Sequence, residues 1–109
     1  MTPEHNFSTP PSLVNALAYL SQEWAYTPVG FVSDGGVSAG TRSVQMAKQT
    51  VAALKMVPFT EAVAIPFFAK FLDATTGVFA PDETQRAAAA TLLNELLRWT
   101  SALAALRSA

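Results

Sequence analysis

Apolar positions recur along this chain at three- and four-residue steps, and short unbroken apolar runs lie between them. That pattern reads as amphipathic helices alternating with buried strands. Leu13, Ala16, Leu17, Leu20 and Trp24 share one face of a helix expected over residues 12–24, entered from a proline-punctuated loop over residues 2–12. Ser8 or Ser12 is placed to cap it, and a proline in its first turn costs little because the missing N–H would be unpaired there anyway. Thr27-Pro28 breaks the helix. Val29-Gly30-Phe31-Val32-Ser33 then runs apolar into Gly35-Gly36, the pattern of a buried strand feeding a tight turn. Helical period returns over residues 41–55 through Val44, Ala47, Val51 and Leu54, and a second strand follows over residues 60–67 around Val63-Ala64-Ile65. Phe67, Phe68, Phe71 and Leu72 suit a bent loop or a short helical turn, and Thr76-Gly77 is a break. Pro81-Asp82-Glu83-Thr84 sets acidic residues at the positive end of a last helix reaching about Leu106. The alanines 87–90 favour that helix, and Leu92, Leu96, Trp99, Leu103 and Leu106 form its packing stripe.

The order loop, helix, strand, helix, strand, helix implies an α/β fold with a parallel sheet between helical layers. Residues 1–109 are enough for one domain. Two strands are too few to cover three amphipathic helices, and a parallel pair is normally buried in a larger sheet. The expectation is therefore a partial domain, or a chain that continues another polypeptide's sheet. Phe59, Phe67, Phe68, Phe71 and Phe79 read as core or subunit interface.

Half the residues are apolar and 14% are charged, which supports a packed core. A net charge of −1 gives no electrostatic case for nucleic acid or an anionic membrane. With no cysteine, disulfides, thiolate metal sites and thiol nucleophiles are excluded, and a cytoplasmic setting fits. No segment approaches the ~20 apolar residues of a membrane span. No metal-ligand cluster stands out.

Two segments carry candidate chemistry. Pro3-Glu4-His5-Asn6 leads through Ser8-Thr9-Pro10 into Leu13-Val14-Asn15-Ala16-Leu17, a polar loop feeding a helix N-terminus, where anionic ligands are favoured. Ser33-Asp34-Gly35-Gly36-Val37-Ser38-Ala39-Gly40-Thr41-Arg42 lies where a strand ends and a helix begins. In open parallel sheets ligands bind beyond the strands' carboxyl ends, and glycines there let backbone N–H groups approach a ligand face. His5 is the lone histidine, with no partners for general-base catalysis. Asp34 reads as a turn former, and Arg42, the one cation near the glycines, as a contact for an NADPH phosphate or a partner's carboxylate, or equally as a surface residue.

Together these segments resemble the NADPH-dependent FMN reductase family, of flavodoxin-like fold. That family has a Pro-Glu-Tyr-Asn loop after its third strand and a Ser-Tyr-Gly-Gly-x-Ser-Gly-Gly type loop after its fourth. The resemblance extends from Thr2 through the last helix, and Val57-Pro58 matches the family's entry to its last strand. It implies a three-layer sandwich lacking the N-terminal strands and phosphate loop. By resemblance, Pro3, Glu4, His5 and Asn6 contact the isoalloxazine edge of FMN, and Ser33, Gly35 and Gly36 border the ring. The chemistry agrees: Asn6 both donates and accepts, as the flavin's pyrimidine edge requires.

The implied activity is hydride transfer from NADPH through FMN to a small acceptor (free flavin, a quinone or an azo compound) in a homo-oligomer, with no side chain acting as catalytic acid or base. Three substitutions depart from the family pattern: His5 and Asp34 stand where it has tyrosine, and Ala39 where it has glycine. The Ser-rich loop that grips the FMN phosphate has no counterpart here. The alternative is a non-catalytic remnant or interaction subunit that does not bind FMN alone. A one-electron carrier of flavodoxin type is disfavoured by the absence of its long cofactor loops and Glu-rich surface.

Overall fold

A computed structural model describes all residues, Met1–Ala109. Its sheet has three parallel strands in the order β1 (Thr2–Pro3), β2 (Pro28–Gly35) and β3 (Val57–Pro66). Helix α1 (Pro11–Ala18) and helix α2 (Thr41–Ala53) cover one face, and helix α3 (Glu83–Ser108) covers the other. The flavodoxin-like α/β arrangement expected from the sequence is what the chain adopts.

The two-residue alternation of β2 builds both cores. Phe31 packs with Leu17, Val44, Ala47, Val51 and Met56 between the sheet and α1 and α2. Val32, the next residue, packs on the opposite face against a cluster of Phe59, Val63, Ile65 and Leu92 under α3. The strand pair continues in register from Phe31↔Ala62 to Gly35↔Pro66, so both strands end together at the carboxyl edge.

Several boundaries differ from expectation. Helix α1 stops at Ala18, and Gln22–Trp24 form a separate 3₁₀ turn. Trp24 fits the helical spacing, but its indole N–H donates to the Leu17 carbonyl at 3.1 Å, folding the chain back over the helix end. Neither Ser8 nor Ser12 caps α1. Pro10 holds the N-cap with no side-chain hydrogen bond, and the nearby Thr9 hydroxyl donates to the Ser43 carbonyl instead. Val57-Pro58 opens β3 itself, three residues before the expected start of that strand.

Helix α3 begins with a capping box: Asp82 accepts from the Gln85 N–H, and the Gln85 side chain accepts from the Asp82 N–H. Its leucine stripe is only partly packed. Leu92 and Leu103 are buried, whereas Trp99 and Leu106 are exposed. Among the phenylalanines, Phe59 is buried and Phe71 half-buried, while Phe67, Phe68 and Phe79 are exposed. No helix is long and apolar enough to cross a membrane.

Candidate functional site

The site forms where β1 and β2 end. Thr2 pairs with Ser33 and Pro3 with Asp34, so the segment after each strand emerges on the same side of the sheet. A buried polar network fixes the base. Thr2 Oγ1 and Ser43 Oγ lie 3.0 Å apart in a hydrogen bond, and the Ser43 carbonyl accepts from Thr9. One residue of α2 thereby anchors both the start and the finish of the β1–α1 loop.

That loop is a tight hairpin. His5 N–H donates to the Ser8 carbonyl at 3.0 Å and Ser8 N–H to the His5 carbonyl at 2.9 Å. Asn6 and Phe7, its two central residues, have φ of 52° and 65°. Asparagine tolerates that left-handed conformation, but phenylalanine adopts it at a cost of about 1–2 kcal/mol. Strain of this kind is retained where neighbours enforce it. Phe7 is 68% exposed, and the Arg42 guanidinium lies 3.9 Å from its ring centroid. One ring face is thus taken by Arg42.

The β2–α2 loop needs glycine at one point above all. Gly40 has φ of 79°, and a methyl there would lie 2.5 Å from the Asp34 carbonyl oxygen and 2.8 Å from the Ser33 Cβ. Ser33, 1% exposed, donates its hydroxyl to the Ala39 carbonyl and holds the loop from below. Gly35 is a packing requirement as well, because a Cβ there would sit 2.9 Å from the Gly40 nitrogen. Gly36 differs: it is exposed, and an added Cβ would meet only the Phe67 ring at 3.9 Å. The N–H groups of Gly36, Val37 and Ser38 donate to no acceptor in the protein.

The two loops are joined by Glu4. Its carboxylate accepts from Ser38 Oγ at 2.7 Å through one oxygen and from Arg42 Nε at 2.6 Å through the other. The Glu4 side chain is 7% exposed. Burial pushes its carboxyl up, but the hydrogen bonds from Ser38 and Arg42 and the Arg42 charge outweigh that and hold it below the usual range. Arg42 thus meets a carboxylate, and it belongs to the same chain.

The residues picked from the sequence therefore separate by what their groups are already doing. Asn6 and His5 are exposed at the hairpin, and their side chains bond to nothing in the protein. Pro3 ends β1, Gly36 is open, Ser33 and Gly35 support the turn, and Glu4 is committed to Ser38 and Arg42. Asp34 is no turn former: it lies within β2, paired with Pro3 and Ile65. Sequence reasoning missed Phe7 and Ser38. The alternation of β2 and the asparagine preceding Phe7 hint at this geometry but do not reveal which groups pair.

The arrangement offers an amide, three free backbone donors and an exposed aromatic ring around one end of a parallel sheet. These are groups of the kind that a flat heterocycle with a polar edge requires. No group of three His, Asp or Glu side chains is placed to hold a metal ion. No curated protein sequence matches the chain. The sequence profile of the NADPH-dependent FMN reductases matches residues 1–70, a span that contains all three strands and both loops. This chain belongs to the NADPH-dependent FMN reductase family, a family of flavin-dependent NAD(P)H oxidoreductases.

Proposed function

We propose that this protein is an FMN-dependent NAD(P)H oxidoreductase that reduces a small acceptor such as free flavin, a quinone or an azo compound, acting in the cytoplasm as a homo-oligomer. The observation that carries the reading is the Glu4 bridge to Ser38 and Arg42, which brings the hairpin of Asn6 and Phe7 beside the free N–H groups of Gly36, Val37 and Ser38. FMN, when bound, supplies the ring that accepts hydride and passes electrons on.

The residues of the chain bind and orient. Asn6 donates to and accepts from the pyrimidine edge, and the backbone donors at Gly36 and Ser38 serve ring oxygens. Phe7 offers its free face for stacking, and His5 gives the hairpin edge a hydrogen-bonding ring. Pro3, Ser33 and Gly35 shape the two loops, and Glu4 keeps them together. No side chain is asked to move a proton.

The test is a titration of the purified protein with FMN, followed by oxidation of NADPH and of NADH with a quinone acceptor. Quenched flavin fluorescence and acceptor-dependent oxidation are expected. Flavin fluorescence that stays unquenched, with no nicotinamide oxidation, defeats the reading.

A second reading, an interaction subunit that does not bind FMN alone, is favoured by a separate observation. The radius of gyration is 15.1 Å, against about 13 Å for a compact domain near this size, and only 20 of 109 residues are buried. The β2 edge is paired with β1 only at Ser33 and Asp34. Over Val29–Val32 it carries no charged side chain, whereas β3 has Glu61 between Pro58 and Pro66. A stable monomer in light scattering at low concentration would contradict the interaction subunit, and FMN binding by the purified chain alone separates it from the first reading.

A further inference from the structure

A concavity lies at the end of the sheet away from these loops, where β2 and β3 begin. It has a volume of about 390 Å³, within the range of small-molecule sites. Its walls come from the segment before β2 and from the ends of α2 and α3, and they include Ser21, Tyr26, Leu54, Lys55, Leu106 and Arg107.

Three features single it out. First, both charged side chains that line it are cationic. Lys55 and Arg107 line it, no carboxylate does, and the chain's two ion pairs, Glu4–Arg42 and Glu95–Arg98, leave both cations unneutralised. Glu23, close in sequence, is turned onto the Ser21 N–H at 3.1 Å. Second, Tyr26 and Lys55 both hold left-handed backbone, with φ of 61° and 59°, where glycine would be at ease. They are coupled, since the Tyr26 N–H donates to the Lys55 carbonyl at 2.8 Å. A lysine at a helix end complements the dipole, but it could do so from the preceding turn without this backbone cost. Third, Leu54 and Leu106 give the cavity an apolar side beside the cations, and the Ser21 and Tyr26 hydroxyls add donors.

We propose that this cavity binds a small organic phosphate. Lys55 and Arg107 hold the phosphate oxygens, assisted by Ser21 and Tyr26, and the organic portion lies against Leu54 and Leu106. Charge-assisted hydrogen bonds to phosphate are among the stronger polar contacts, and a partly apolar ligand gains more from this cavity than a bare ion does.

The probe is phenyl phosphate, followed through backbone amide resonances of the full chain, with inorganic phosphate as a second probe. Saturable shifts at Tyr26 and Lys55 are expected, with none at Asn6 or Gly36, and inorganic phosphate should compete more weakly. Lys55→Gly, which suits the backbone at that position, and Arg107→Gln should each weaken binding about tenfold. Lys48→Gln removes the same charge elsewhere on α2 and should leave binding unchanged. Absence of saturable shifts at Tyr26 and Lys55 overturns the proposal. So does an equal loss of affinity in Lys48→Gln, which would mark general attraction to a cationic surface.

Discussion

Glu4 and Arg42 stand 38 positions apart in the sequence and form an ion pair at 2.6 Å, the direct link between the loop after β1 and the first turn of α2. Ser38 occupies the other carboxylate oxygen, and the Arg42 guanidinium lies over the Phe7 ring. Four side chains thus turn two separate loops into one surface.

This clamp should respond to acid with a defined sign. Glu4 has a folded-state pKa lowered from its ordinary value of 4.5, so its contribution to stability is complete above that value and is lost as pH falls through the lowered one. Thermal unfolding of the wild type and of Glu4→Gln, compared across pH, should show a constant gap near neutrality that closes under acid conditions. A gap independent of pH would show that the carboxylate's charge does not stabilise the loops.

Two glycines in one loop should behave oppositely. Gly40→Ala places a methyl 2.5 Å from a backbone oxygen at φ of 79° and should cost about 2–4 kcal/mol in chemical denaturation. Gly36→Ala meets only the Phe67 ring at 3.9 Å and should stay within ~0.5 kcal/mol of wild type. If Gly36 borders the flavin, that same variant weakens FMN binding while the fold persists.

Phe7→Gly relieves a left-handed phenylalanine but adds backbone freedom to the unfolded chain and gives up the contact with Arg42. The opposing effects should leave unfolding within about 1 kcal/mol of wild type. A ring held in strained backbone for stacking predicts a different outcome in binding: FMN fluorescence quenching should weaken clearly. Unchanged quenching would remove Phe7 from the site.

Trp24→Phe keeps most of the apolar contact and deletes the indole N–H bond to Leu17. The expected loss is about 1 kcal/mol in urea unfolding, with no change in flavin binding. A loss well above that would mean the indole does more than close the end of α1.

The sequence made β2, α2 and the layer order legible because each has a strong apolar period with clear breaks at Thr27-Pro28 and Gly35-Gly36. It overextended α1 because Trp24 satisfies helical spacing while its indole serves as a cap for a helix already ended. It missed β1 because Thr2-Pro3 has no apolar pattern: Thr2 is buried through a hydroxyl pair with Ser43. Trp99 and Leu106 share the spacing of Leu92 and Leu103 but are exposed, since spacing defines a stripe and not how much of it the sheet covers. At the site, residue types marked both loops. Which groups stay free for a ligand depended on pairings such as Glu4–Ser38 and Ser33–Ala39 that no spacing encodes.

If the loops after β1 and β2 together hold a flat cofactor, binding registers at both. The most direct measurement is amide chemical-shift mapping of the protein titrated with FMN. The largest saturable shifts should fall at Asn6, Phe7, Gly36, Val37 and Ser38. Shifts confined to other parts of the chain, or none at either loop, would contradict that prediction.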